Sequence, residues 1–117
     1  MRLNEITFTD ARPIDGYGPG FFRIAGEVIH GDAAIGPAGV RPWGGYGDTE
    51  TLLALAQDLD VLFIGTGAEI AHIPAALRAT LEAAGLGVET MATPAACRTY
   101  NVLLSEGRRV GVALIAV

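Results

Sequence analysis

Residues Val61-Leu62-Phe63-Ile64 form an unbroken apolar run between Asp60 and Gly65. A strand with one face in water alternates apolar and polar side chains. A run without alternation needs cover on both faces. This requirement constrains the chain more than any other feature, because it demands layers above and below the strand. The flanking sequence can supply them. Asp48 suits a helix N-cap, and Leu52, Leu55, Ala56 and Leu59 follow at helical spacing. Pro74 opens a second helix with the apolar stripe Ile73, Leu77, Leu81 and Ala84, and Gly85-Leu86 suits a glycine C-cap with its hydrophobic follower. Residues 88–91 form a short strand, a third helix spans 94–106, and residues 110–117 form a closing strand. Consecutive β-α-β-α-β units favour a largely parallel three-stranded core with crossover helices on its faces.

The first 47 residues follow a different rhythm. Ile6 and Phe8 lie two apart, as do Phe22 and Ile24, and Val28-Ile29 begins a further apolar run. The spacing predicts a β-meander with strands near 5–9, 21–25, 27–31 and 33–41. Gly16-Tyr17-Gly18-Pro19-Gly20 is expected to be a loop, and Gly44–Gly47 to close the meander. These strands would extend the parallel core or fold over one side of it. The expected fold is thus an α/β domain of three layers spanning residues 1–117, with a mixed sheet. A chain of 117 residues suffices for one core. With half its residues apolar and 18% charged, it should be compact rather than disordered.

Several function classes fall away on composition. The formal net charge is −5, and Arg108-Arg109 is the one basic pair, so there is no stripe for nucleic acid. Cys97 is the only cysteine, which excludes an intramolecular disulfide. No apolar run approaches the roughly 20 residues of a membrane span. The N-terminal residues resemble neither a secretory signal nor a transit peptide, so the expected location is the cytoplasm, with membranes met only through a partner. There is no Cys pair, no His pair at helical spacing and no carboxylate-rich loop, so no metal or other cofactor is expected. Ser105, the only serine, lacks a nucleophile-elbow sequence.

The chemistry concentrates in residues 91–109. Thr93 suits the N-cap of the third helix, Pro94 its first turn and Gly107 the residue past its end. Parallel winding should bring this helix start beside Gly65-Thr66-Gly67, which directly follows a strand. Backbone amides there could cradle an anion, or the glycines could simply permit a tight turn. Neither the Walker spacing nor Gly-x-Gly-x-x-Gly is present, since position 70 is Ile. Cys97 stands at the helix start next to Arg98, a setting that lowers a thiol pKa. Neither His30 nor His72 is close in sequence to act as its base, so Cys97 is expected to be a packed core residue and not a nucleophile. A ligand cleft would comprise Gly65, Thr66, Gly67, Thr93, Cys97, Arg98, Thr99 and Asn101. A protein-docking surface would comprise Tyr17, Trp43 and Tyr46 beside glycine-rich loops, with Arg108 and Arg109, for which Glu106 is the expected intramolecular partner.

The segment Ala96-Cys97-Arg98-Thr99-Tyr100-Asn101-Val102-Leu103, then Glu106-Gly107-Arg108-Arg109-Val110, with Gly65-Thr66-Gly67 upstream, resembles one family of small single-domain α/β proteins. That family includes a mitochondrial assembly factor for respiratory complex I and many bacterial proteins of unknown function. The resemblance covers nearly the whole chain, including Gly16–Gly20 and the last strand. It implies a three-layer domain with a mixed sheet. It also implies a non-catalytic accessory or assembly factor acting in the biogenesis of a respiratory NADH dehydrogenase or another membrane complex. Its partner would be a subunit of that complex or a second assembly factor. The residues themselves leave open the alternative of a small-molecule or anion site, or an enzyme, at the cleft.

Overall fold

The computed structural model describes residues 12–117. Eight strands and three α-helices occur among them: β1 Ile14–Gly18, β2 Phe21–Ile24, β3 Glu27–His30, β4 Ala33–Gly36, β5 Gly39–Pro42, α1 Thr49–Leu55, β6 Val61–Gly65, α2 Ala75–Ala83, β7 Gly87–Met91, α3 Thr93–Ser105 and β8 Val110–Leu114. Short 3-10 turns at Gly45–Gly47 and Ala56–Asp58 flank α1.

The central sheet has the order β5-β4-β8-β6-β7. Its β8-β6-β7 part is parallel, as the β-α-β-α-β pattern requires, with Val61 opposite both Val110 and Gly87 and Gly65 opposite both Leu114 and Met91. The β4–β5 hairpin adds antiparallel strands through the Ala33–Leu114 register. Strand alternation then sorts the apolar residues into two cores. Ala34, Leu62, Ile64 and Ala113 pack with Leu52, Leu55, Leu77 and Leu81 of α1 and α2. Ala33, Ile35, Phe63, Val112 and Leu114 pack on the other face with Ala96, Cys97 and Tyr100 of α3. The unalternated Val61–Ile64 run is thus covered on both sides, with only Val61 partly exposed.

A second antiparallel sheet, β1-β2-β3, folds over the α3 face, where Ile14, Phe22 and Ile24 join the α3 core. Directional bonds fix it there. Asn101 brackets the backbone of Ile14, its Oδ1 accepting from Ile14 N at 2.9 Å and its Nδ2 donating to Ile14 O at 2.8 Å. The fully buried Tyr100 donates its hydroxyl to Arg12 O at 2.9 Å.

Several expectations need correction. Gly16–Gly18 is strand, not loop, and only Pro19-Gly20 turns. The predicted 33–41 strand is a hairpin, β4 and β5, turning at Pro37-Ala38 where Gly36 faces Gly39. Gly39 has φ +127°, a conformation side chains disfavour, so the turn can close there. The last strand stops at Leu114, after which Ala116 N donates to Asp32 Oδ1 at 2.8 Å. The strand expected near residues 5–9 lies outside the described residues. Among those described, no helix is long and apolar enough to cross a membrane.

Candidate functional site

The start of α3 does meet the Gly65–Gly67 turn, but not with Thr93 as N-cap. Ala92 is the capping residue, and its carbonyl accepts from Ala96 N at 2.9 Å. With Pro94 fixing the first turn, Thr93 becomes the first helical residue and its side chain turns inward. Its hydroxyl accepts from Gly67 N at 2.8 Å and donates to Ile115 O at 2.7 Å, while Thr93 N donates to Gly67 O at 2.7 Å. Thr93 is wholly buried. A Cβ on Gly65 would lie 2.8 Å from Thr93 Oγ1 and 2.9 Å from its Cα, so the close approach requires glycine.

These bonds occupy the groups an anion would need. Besides Gly67 N, Thr66 N donates to Met91 O at 2.9 Å. The Thr66 hydroxyl donates to Glu69 O at 2.8 Å and accepts from Ala71 N at 3.0 Å. Of the remaining cleft residues, Cys97 is buried against the sheet, and Asn101 is committed to β1. Burial pushes the Cys97 thiol up to about 11, although neighbouring Arg98 acts in the opposite direction. His72 lies along a separate groove with Ile70, Ala71 and Thr90. Only Arg98 and Thr99 face outward, in a shallow groove of about 430 Å³ shared with Val102 and Leu103.

The expected docking residues do not form one surface. Trp43 is not an exposed anchor. It is 4% exposed, belongs to the α1/α2 core, and donates its indole N–H to Asp48 O at 3.0 Å. Tyr46 meets it edge to face, with centroids 6.0 Å apart. Burial, then the charge of Asp32, raises the Tyr46 phenol above its ordinary value. Tyr17 is 41% exposed. Because Pro42 and Leu114 both pair with Ala33, Trp43 and Tyr46 follow β5 out at the Gly65–Gly67 edge of the sheet. Arg108 and Arg109 precede β8 and therefore stand at the opposite edge.

There, α3 ends in a Schellman turn. Gly107 has φ +81°, and Arg108 N donates to Leu103 O at 3.0 Å. Arg109 pairs with Asp60, not with Glu106. Its guanidinium makes two bonds to the carboxylate, at 2.8 and 3.3 Å, and holds the Asp60 carboxyl below the usual carboxylate range. Asp60 is fixed in place because its own N–H donates to Arg109 O at 2.9 Å. Beside this pair is an open groove of about 580 Å³ lined by Pro37, Ala38, Asp58, Leu104, Val110 and the two arginines.

A family model for proteins of unknown function matches residues 14–115, almost the entire described chain. The chain belongs to the DUF498/DUF598 family. It is 54% identical over 115 residues to an uncharacterized protein of Rhodobacter capsulatus, covering 98% of this chain and 93% of the relative. It is 36% identical over 106 residues to NADH dehydrogenase (ubiquinone) 1 alpha subcomplex assembly factor 3 of Danio rerio, covering 85% of this chain but 61% of that protein. A crystal structure described as an outer membrane protein from Bartonella henselae superposes with a TM-score of 0.84 at 38% identity, covering 94% of this chain and 98% of that one.

In this DUF498 protein the groove floor of Pro37, Ala38 and Leu104, with Asp58 at its side, escaped sequence reasoning. Those residues come from the β4–β5 turn, the segment before β6 and the end of α3. Only the strand order brings them together. Arg108-Arg109 was the visible signal for that end of the molecule.

Proposed function

We propose that this protein is a non-catalytic accessory or assembly factor that docks another protein at the Arg108–Arg109 groove. The observation that carries the reading is the groove itself. It offers an open aliphatic floor from Pro37, Ala38 and Leu104, rimmed by guanidiniums, of which Arg109 is held in place by Asp60. Such a mixture of apolar area and directional donors suits protein recognition. The likeness to a mitochondrial protein named as an NADH dehydrogenase assembly factor supports a role in the biogenesis of that complex or another membrane complex. In this reading the protein works in the cytoplasm and reaches the membrane through its partner. The small-molecule or enzyme reading has less support, since the amides and hydroxyl at the Gly65–Gly67 turn are already bonded within the chain.

Quantitative affinity capture from native membranes and cytosol, comparing wild type with Arg108→Glu and Ala38→Asp, tests the reading. Both exposed substitutions should leave the thermal transition in place and deplete the same dehydrogenase subunits or assembly proteins. Unchanged capture by both folded variants, together with saturable binding of a small metabolite to wild type, would replace this reading with the ligand-binding one.

A further inference from the structure

The outer side of α3 carries a feature that neither the core nor the groove uses. Arg98 and Val102 are four apart on one ridge of the helix, and Glu106, the C-cap residue, continues that spacing just past the last helical residue. All three are exposed, and Val102 is 55% exposed in the middle of the ridge. Beside it runs the shallow groove of about 430 Å³ lined by Arg98, Thr99, Val102 and Leu103. Among the described residues neither Arg98 nor Glu106 has an ion-pair partner. Glu106 also stands at the C-cap, the negative end of α3, where a cation would be the stabilising choice. Stability of the isolated chain does not explain that carboxylate.

A two-fold axis through Val102 explains the arrangement. Antiparallel pairing of two α3 helices about that axis sets Arg98 of each copy opposite Glu106 of the other, because both lie four residues from Val102. Val102 of each copy meets Val102 of the other at the axis, with the shallow groove of each copy beside the contact. A closed two-fold contact requires one self-complementary patch that carries both a cation and its counter-charge about its centre. This patch carries both. We propose that α3 is a self-association face, and that its occupant is a second copy of this chain. The pairing does not depend on the function assigned to the Arg108–Arg109 groove.

Sedimentation velocity of the full chain, across a series from micromolar to millimolar, reads the association directly. Wild type should be a concentration-dependent dimer weakened by salt. Arg98→Glu or Glu106→Arg alone should raise the dimer dissociation constant about tenfold or more, because each places like charges across the axis twice. An equimolar mixture of the two variants should dimerise again, since one carries two anionic ridge ends and the other two cationic ones. The double variant, with both substitutions in one chain, should dimerise like wild type. As a geometric readout, Val102→Cys should form an intermolecular disulfide under mild oxidation, while the buried Cys97 stays reduced. Circular dichroism controls for folding. A wild type that stays monomeric throughout overturns the proposal. So does a dimer that is indifferent to both single substitutions, or one that the charge exchange fails to restore.

Discussion

Replacing Thr93 by Val removes one hydroxyl at nearly constant volume. It strips the acceptor from Gly67 N and the donor from Ile115 O. Each buried polar group left unpaired costs about 1–3 kcal/mol. The Gly67 amide bond is buried, whereas the bond to Ile115 is only partly so and its carbonyl can recruit water. The two losses together should therefore cost about 3 kcal/mol, toward the lower part of their combined range. That is a large share of the roughly 5–15 kcal/mol available to a domain, and should lower Tm by roughly 10 °C. Thr93→Ser separates the cause, because it keeps both bonds and loses one buried methyl, at about 1 kcal/mol. Urea unfolding followed by circular dichroism should rank wild type above Thr93→Ser and Thr93→Val last. Simple apolar burial gives the reverse order for the two variants. If Thr93→Val unfolds at the wild-type midpoint, or above Thr93→Ser, the two hydroxyl bonds are not what holds the Gly65–Gly67 turn to the start of α3.

Two further outcomes follow from particular groups. With Cys97 buried and burial pushing its pKa up to about 11, it should carry little thiolate at pH 8 and be alkylated slowly in the native protein and much faster once unfolded; fast labelling of native protein would contradict this. The Asp48 carboxyl is held below its ordinary value chiefly by the Thr51 hydroxyl and then by the amides of Gly44 and Thr51. Its stabilisation is present above the unfolded carboxylate pKa and is lost as pH falls through the lower folded value. Asp48→Ala should cost about 1 kcal/mol near neutrality, with the gap from wild type closing at more acid pH. A gap constant from pH 7 to pH 2 would assign the effect to something other than the carboxylate.

The sequence made the central layers legible because one physical requirement dominated them. An unalternated strand needed two covered faces, and periodic leucines on α1 and α2 showed one cover. Asp48 and Gly85 marked their helix boundaries through local bonds that sequence spacing reveals: Asp48 Oδ1 accepts from Thr51 N, and Leu86 N donates to Leu81 O. The errors arose where tertiary partners outcompeted local grammar. Thr93 had the right neighbours for an N-cap, but Gly67 and Ile115 offered its hydroxyl buried partners 26 and 22 residues away. Trp43 sat beside glycines like a loop anchor, yet its ring had room in the α1/α2 core and its N–H found Asp48 O. Glu106 was near the arginines in sequence, but the adjacent β6 and β8 strands delivered Asp60 to Arg109 instead. Asn101 looked like a cleft residue for the same reason that it works as a bracket. An amide can satisfy a donor and an acceptor at once, and Ile14 presents both.

The closed edge also bears on where this fold can do its work. In open α/β sheets the usual ligand position lies beyond the carboxyl ends of parallel strands. Here β6, β7 and β8 end together, and their exits are tied to one another. Thr66 N reaches Met91 O, Ile115 N reaches Gly65 O, and the Thr93 hydroxyl joins Gly67 to Ile115. A ligand seated on the Gly65–Gly67 turn itself would have to break bonds that hold three strands and a helix in register. Surfaces farther from those exits carry no such conflict. The Arg108–Arg109 groove lies at the other end of the sheet, and the Arg98–Val102–Glu106 ridge lies on the outer side of α3. A partner at either can gain contacts without displacing an internal hydrogen bond at the closed edge, so binding there should leave the core intact.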